Sequence, residues 1–172
     1  IGEYRRRFLN GTLEATASLV GGDSEKDVRG HIDAEGRFDI DDTWRWGFDL
    51  NRATDDTYLR RYGFGSPASL NTRIFTEGFR DRNYFSANGY AFQGLRSTDD
   101  PDLEPLVLPL VDFNHLSAPD RFGGQTFLDV NFLAIAREEG TDTRRLSIRP
   151  GWQLPFKGPL GDDYKLSLSL NT

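Results

Sequence analysis

RGHIDAEGRFDIDDTWRWGFDLNRATDDTYLRRY, residues 29–62, decides the fold. In its first arm Ile32, Ala34, Gly36, Phe38 and Ile40 fall on one side, and His31, Asp33, Glu35, Arg37 and Asp39 on the other. Strict period two is the mark of a strand with one apolar and one polar face. Asp41-Asp42-Thr43 interrupts it with turn-forming residues. The alternation then resumes as Trp44, Trp46, Phe48 and Leu50 against Arg45, Gly47, Asp49 and Asn51. Two such arms around a three-residue loop predict a β-hairpin. Two tryptophans close to the turn sit on the apolar face, and charges of both signs on the polar one.

Outward from this hairpin the same grammar continues. Asn10-Gly11 is a strong two-residue hairpin signal, and Leu13, Ala15, Ala17 and Leu19 alternate after it. A polar connection over 21–28 leads into the central hairpin. Behind it lies a long polar segment, roughly Thr54–Ser69, with room for a helical turn. Leu70–Arg80 and Tyr84–Arg96 read as strands around Asp81-Arg82-Asn83. Their alternation is poor, and the facing of residues 70–96 stays open. Leu106–Leu116 reads as a strand in which Pro109 requires an edge, a bulge or a strand start. Gln125–Arg137 alternates again. Arg145, Ser147, Arg149 and Gln153 then oppose Leu146, Ile148, Trp152 and Leu154, and a Pro/Gly loop is expected over Pro155–Asp163 before a last strand. The expectation is all-β: an antiparallel up-and-down meander of about ten strands.

Composition bounds the function. The 172 residues carry a net charge of −6, which argues against a nucleic-acid binder. The absence of cysteine removes disulfides and thiolate metal sites within this segment. Eighteen glycines and 13% aromatics accord with the all-β reading. The chain opens at Ile1 with no signal or targeting stretch, as a mature segment or a piece of a longer chain would. No apolar run is long enough for a transmembrane helix, but a transmembrane strand needs only about 9–11 residues, half of them polar. Two features favour a membrane barrel over a soluble sandwich. Short and long connections alternate through the first part of the chain, as on the two rims of a barrel. Several strands run to 10 residues or more, against a usual mode of about 5–6.

Candidate chemistry is sparse. Asp41-Asp42, Asp55-Asp56, Asp99-Asp100 and Asp162-Asp163 each sit in a break, where turn formation accounts for them better than Ca²⁺ binding or a glycosidase pair. His31 and His115 lack the spacing of a metal site or triad, and His31 reads as a polar-face residue. No catalytic residue, cofactor or metal is predicted.

Four stretches carry a resemblance: GRFDIDDTWRWGFDLNRATDDTYLRRYGF (36–64), EGFRDRNYFSANGYAFQGLR (77–96), PLVLPLVDFN (105–114) and EEGTDTRRLSIRPGW (138–152). Together they resemble the LptD family, the outer-membrane LPS-assembly or organic solvent tolerance proteins of Gram-negative bacteria. The resemblance implies a single segment, residues 1–172, of the large C-terminal transmembrane barrel, without the periplasmic jelly-roll domain. It also implies non-enzymatic insertion of lipopolysaccharide into the outer leaflet of the outer membrane. The implied partners are lipopolysaccharide, membrane lipid, an LptE-like plug lipoprotein, and an LptA-like bridge acting through the domain not present here. On that reading Arg37, Asp39, Arg45, Asp49, Arg145 and Arg149 line a hydrated lumen, where arginine offers transient phosphate contacts. Ile32, Phe38, Trp44, Trp46 and Trp152 face lipid or form an interfacial belt. Mixed signs matter, because a purely basic wall would hold an anionic glycolipid too tightly to release it. The alternatives are a soluble secreted β-sandwich that stacks sugars on Trp44, Trp46 and Trp152, and, more weakly, a β-sheet hydrolase.

Overall fold

The computed structural model describes residues 1–21 and 28–172, so most of the polar connection expected at 21–28 lies outside the described residues. Ten strands form one antiparallel sheet in sequence order: β1 (Gly2–Phe8), β2 (Gly11–Val20), β3 (Arg29–Asp39), β4 (Trp44–Ala53), β5 (Ser69–Arg80), β6 (Asn83–Gly94), β7 (Leu106–Leu116), β8 (Gln125–Ala136), β9 (Thr143–Lys157) and β10 (Asp163–Ser169). One helical turn, α1 (Tyr58–Arg61), follows β4, and a 3-10 turn over Pro101–Leu103 follows β6. The meander expected from the sequence is therefore the fold.

The central hairpin pairs Phe38 with Trp46, Gly36 with Phe48 and Ala34 with Leu50, so both apolar sets share one face. The tip is held by Asp41, whose Oδ1 accepts from the Thr43 and Trp44 backbone N–H groups at 2.7 Å each. The two rims differ. One carries the short turns Leu9–Asn10, Ile40–Thr43 and Asp81–Arg82, together with Ser117–Gly124 and Gly158–Asp162. The opposite rim carries the long connections Thr54–Ala68 and Leu95–Pro105, and the shorter Arg137–Asp142. The contrast fades beyond β7.

Three local results refine the sequence reading. Pro109 lies in a bulge: the four residues of β7 from Val107 to Leu110 lie opposite three of β6 and three of β8, and the side-chain phase recovers on both sides. The loop expected from Pro155 starts only at Gly158. Pro155 continues β9 opposite Lys165, and since β8 begins at Gln125 opposite Gln153, Pro155 has a neighbour on one flank only. The open facing of residues 70–96 is settled by pairing. Register with β4 puts Arg73, Phe75 and Glu77 on the face of Asp49, Gly47 and Arg45, and Ile74 and Thr76 on the face of Phe48 and Trp46.

The β4–β5 ladder is incomplete. Backbone pairing ends at Asp49–Arg73 although β4 runs on to Ala53 and β5 begins at Ser69. Side chains close the gap. The Thr72 hydroxyl lies 3.4 Å from the Asn51 N–H and 3.3 Å from its carbonyl. The Gln93 carboxamide reaches across from β6, accepting from the Ala53 N–H at 3.0 Å and donating to its carbonyl at 2.7 Å. Beside the gap Leu70 is buried in a cluster with Tyr58, Leu59 and Leu95, backed by Val20, Ala53 and Phe64. The start of β5 parts from β4 there, while its pairing with β6 continues to Ser69.

Candidate functional site

The sheet is two-faced from edge to edge, and the two faces form the site. Register carries the phase of the central hairpin outward in both directions. Arg37, Asp39, Arg45, Asp49, Arg145 and Arg149 fall on one face; Ile32, Phe38, Trp44, Trp46 and Trp152 fall on the other.

The polar face is cross-linked strand to strand. Arg37 donates through Nη2 to Asp49 and through Nη1 to the Phe48 carbonyl at 2.8 Å. Asn51 donates to Asp33 at 3.0 Å, and Arg45 to Glu77 at 3.1 Å. Arg73 places Nε and Nη2 on Asn88 Oδ1 at 3.0 and 2.6 Å. Further along, Asn131 donates to Asp112 at 2.7 Å and Asn114 to Asp129 at 2.8 Å. Arg149 meets the other Asp129 oxygen with Nε at 3.0 Å and Nη2 at 2.6 Å, while Arg145 reaches Asn131 at 3.4 Å. Arg37, Arg45 and Arg149 are thus held by carboxylates, and Arg73 and Arg145 by amides, which fixes them without excluding water. Apolar residues break this face at Phe75 and Tyr90, and in a patch of Val107, Leu110, Leu133 and Ile135.

Burial is inverted relative to a soluble sheet. Ser18, His31, Ser86, Asn88 and Gln125, all on the polar face, are buried. On the apolar face Trp44 and Trp46 keep 36% and 37% of their surface exposed, and Ile74, Leu146, Leu166 and Leu168 more than half. A contiguous exposed apolar face of this kind marks a surface that meets something other than water. Its aromatics gather at the tight-turn rim: Phe8 against Phe38 at 5.7 Å, Phe38 on Trp46 at 5.0 Å, Trp44 against Phe85 at 5.5 Å and Phe156 on Tyr164 at 5.4 Å. Gly78 makes room for this girdle, since a Cβ there would meet three Trp44 ring atoms at 2.9 Å.

At the opposite rim the β4–β5 connection folds back over the polar face. Ser18 Oγ lies 2.7 Å from His31 Nδ1 and 2.7 Å from the Tyr58 hydroxyl. With the imidazole proton on Nε2, the donors run from Tyr58 to Ser18 to His31. Phe64 covers the His31 ring at 4.1 Å between centroids. Arg29 forks onto the Asp55 carboxylate and reaches Thr57 Oγ1 at 2.9 Å. The Arg29 hydrogen bonds, with those from Thr57, hold the Asp55 carboxyl well below the usual carboxylate range. His31 was legible as a polar-face residue; its burial by a distant loop was not. Among the described residues no group of three or more His, Asp or Glu side chains is placed to hold a metal ion.

One sheet of long strands, apolar and exposed on one side and hydrogen-bonded and charged on the other, defines the class: a wall of the outer-membrane β-barrel type. No helix among the described residues is long and apolar enough to cross a membrane. The family model of LptD, LPS transport system D, matches residues 27–172, and the chain belongs to that family of lipopolysaccharide transport and assembly proteins of the outer membrane. No curated protein matches the chain. β1 and β2 precede the matched region, yet continue its sheet in unbroken register.

Proposed function

We propose that this chain is a wall segment of a transmembrane barrel that passes lipopolysaccharide to the outer leaflet of the outer membrane. The observation that carries the reading is the inverted burial of the two faces. The exposed apolar face meets lipid, with Ile32 toward the long-connection rim and Phe38, Trp44, Trp46 and Trp152 toward the tight-turn rim. The polar face lines a hydrated lumen in which Arg37, Arg45, Arg145 and Arg149 are offset by Asp39, Asp49 and their neighbours. An anionic saccharide then meets cations already partnered, and exchanges contacts rather than binding tightly. The tight-turn rim is assigned to the periplasm and the long-connection rim to the exterior. Transport of this kind makes and breaks no covalent bond. An LptE-like plug and an LptA-like bridge are the partners the family implies. A β-sandwich would need a second sheet over the tryptophan face; all ten strands lie in one sheet.

These 172 residues contain no cysteine, so a cysteine introduced among them is read against the unsubstituted full-length protein as background. In the full-length protein in vesicles, cysteines at 37, 49, 145 and 149 should react with a membrane-impermeant maleimide. Fluorophores attached at 32 and 46 should instead be quenched by brominated lipid. The reverse pattern overturns the assignment.

A further inference from the structure

The polar face holds a cleft of about 510 Å³ lined by Arg37, Asp39, Arg45, Arg73, Phe75 and Glu77. Its floor follows from one missing side chain. Gly47 stands between Arg37 and Phe75 in the same row of the sheet, and a Cβ there would lie 2.5 Å from the Gly36 carbonyl and 2.7 Å from the Phe75 ring. The ring leans into that space and is 7% exposed, an aromatic buried among charges. Two guanidinium groups lie against it, Arg73 at 4.3 Å and Arg37 at 5.3 Å from the centroid.

The three arginines are not equivalent. Arg37 is committed to Asp49, and Arg45 to Glu77 at 3.1 Å. Arg73 stands directly opposite Asp49 in the ladder, yet that carboxylate is turned to Arg37. The hydrogen bonds Arg73 makes go instead to the neutral Asn88 Oδ1, and its ring contacts are Phe75 and, at 5.8 Å, Tyr90. Neither amide nor ring cancels its charge. The guanidinium is fixed by hydrogen bonds on one edge and by stacking on its face, and among the described residues its remaining N–H donors have no partner. A planar fork held in this way matches a phosphate oxyanion, whereas a neutral sugar would not need the charge. Asp39 and Glu77 in the same cleft repel an anion and keep its stay short.

We propose that this cleft is a phosphate station on the polar wall. Arg73 holds a phosphate group of a phosphorylated saccharide, and Phe75, seated on Gly47, aims it. The proposal rests on the reading of the polar face as the saccharide path, and it names one place and one chemical group along that path.

The test uses the full-length protein reconstituted in vesicles, with a photocrosslinking residue replacing Thr12, which also lines the cleft. Asn131, elsewhere on the polar face, and Trp152, on the apolar face and away from the cleft, serve as reference positions. The probes are lipopolysaccharide and lipopolysaccharide stripped of its phosphate groups. Crosslinking at 12 should fall at least about tenfold with the stripped probe or with Arg73→Gln, as the loss of a charge-assisted pair implies, and be partly retained in Arg73→Lys. Crosslinking at 131 should change little. Equal crosslinking at 12 for both probes, or crosslinking at 131 and none at 12, overturns the phosphate station and leaves the transport reading standing. Crosslinking at neither polar position removes both. The stripped-probe comparison needs no substitution at 73, so a misfolded variant does not blunt it.

Discussion

At the residue scale, what a side chain contributes depends on its depth across the sheet as much as on its face. Ile32 and Ile74 both belong to the apolar face, but Ile32 stands opposite Arg52 near the long-connection rim. Ile74 stands between Phe48 and Gly89, well away from either end of β5. Arginine at a bilayer midplane costs about 2–4 kcal/mol and near the interface about 0–1 kcal/mol. Ile74→Arg should therefore destabilise the inserted barrel by the larger amount and Ile32→Arg by the smaller, measured by reversible unfolding in lipid. Equal costs would mean that the strand depth assigned here is wrong. Asp55 offers a second residue-scale expectation. Its carboxyl is depressed below its unfolded value near 3.9, so its contribution is present above that pH and is lost only as pH falls through the depressed native value. The Arg29–Asp55 fork should thus persist through neutral and mildly acidic solution. Asp55→Asn should loosen the connection at neutral pH by on the order of 1 kcal/mol, because both side chains keep about a quarter of their surface in water. Faster amide exchange over residues 55–64 is the readout.

At the element scale the informative feature is the place where two strands part. A sheet leaves few backbone groups unpaired because each one isolated from water costs about 1–3 kcal/mol. Between β4 and β5 the ladder stops early, and Gln93 supplies both a donor and an acceptor to Ala53 in its place. Gln93→Leu keeps the volume and removes both bonds. It should cost about 1–3 kcal/mol and raise amide exchange in 50–53 and 69–72, with the β3–β4 pairing unchanged. An unchanged exchange pattern would mean that water already serves those groups. The gap also shows how β5 serves two demands. From Arg73 onward it pairs on both flanks, and before that it pairs with β6 alone while Leu70 joins Tyr58 and Leu59 in the buried cluster.

At the scale of the whole molecule, stability and environment cannot be separated. The buried apolar cluster is small and sits under one connection, while many large apolar side chains are exposed on one face. A chain built this way should acquire β-structure and remain monodisperse only when detergent or lipid covers that face. Circular dichroism and size exclusion of the 172 residues, with and without micelles, check this. A folded monomer in plain buffer would mean that the apolar face closes on itself.

The alternation in residues 31–51 determined the hairpin, its two faces and the strand class, because a period of two has one structural solution when one set is apolar and the other charged. The meander and the turn positions were legible for the same reason, with Asn10-Gly11, Asp41–Thr43 and Asp81–Asn83 as punctuation. The face of β5 and β6 was not legible. Their apolar side carries Thr72, Thr76, Gly78, Ala87 and Gly89, and their polar side Phe75, Tyr84 and Tyr90, so composition contradicts facing. Only hydrogen-bonded register with β4 decides it. The Arg73–Phe75 cleft escaped the sequence for that reason, and because Gly47, which creates it, reads locally as an ordinary polar-face glycine. The burial of His31 under Tyr58 and Phe64, and the bridge from Gln93 to Ala53, join residues far apart in the chain. Neither leaves a local trace, because what a periodic pattern encodes is which way a side chain points, and what it meets there is set by the neighbouring strands and by the loop that returns over them.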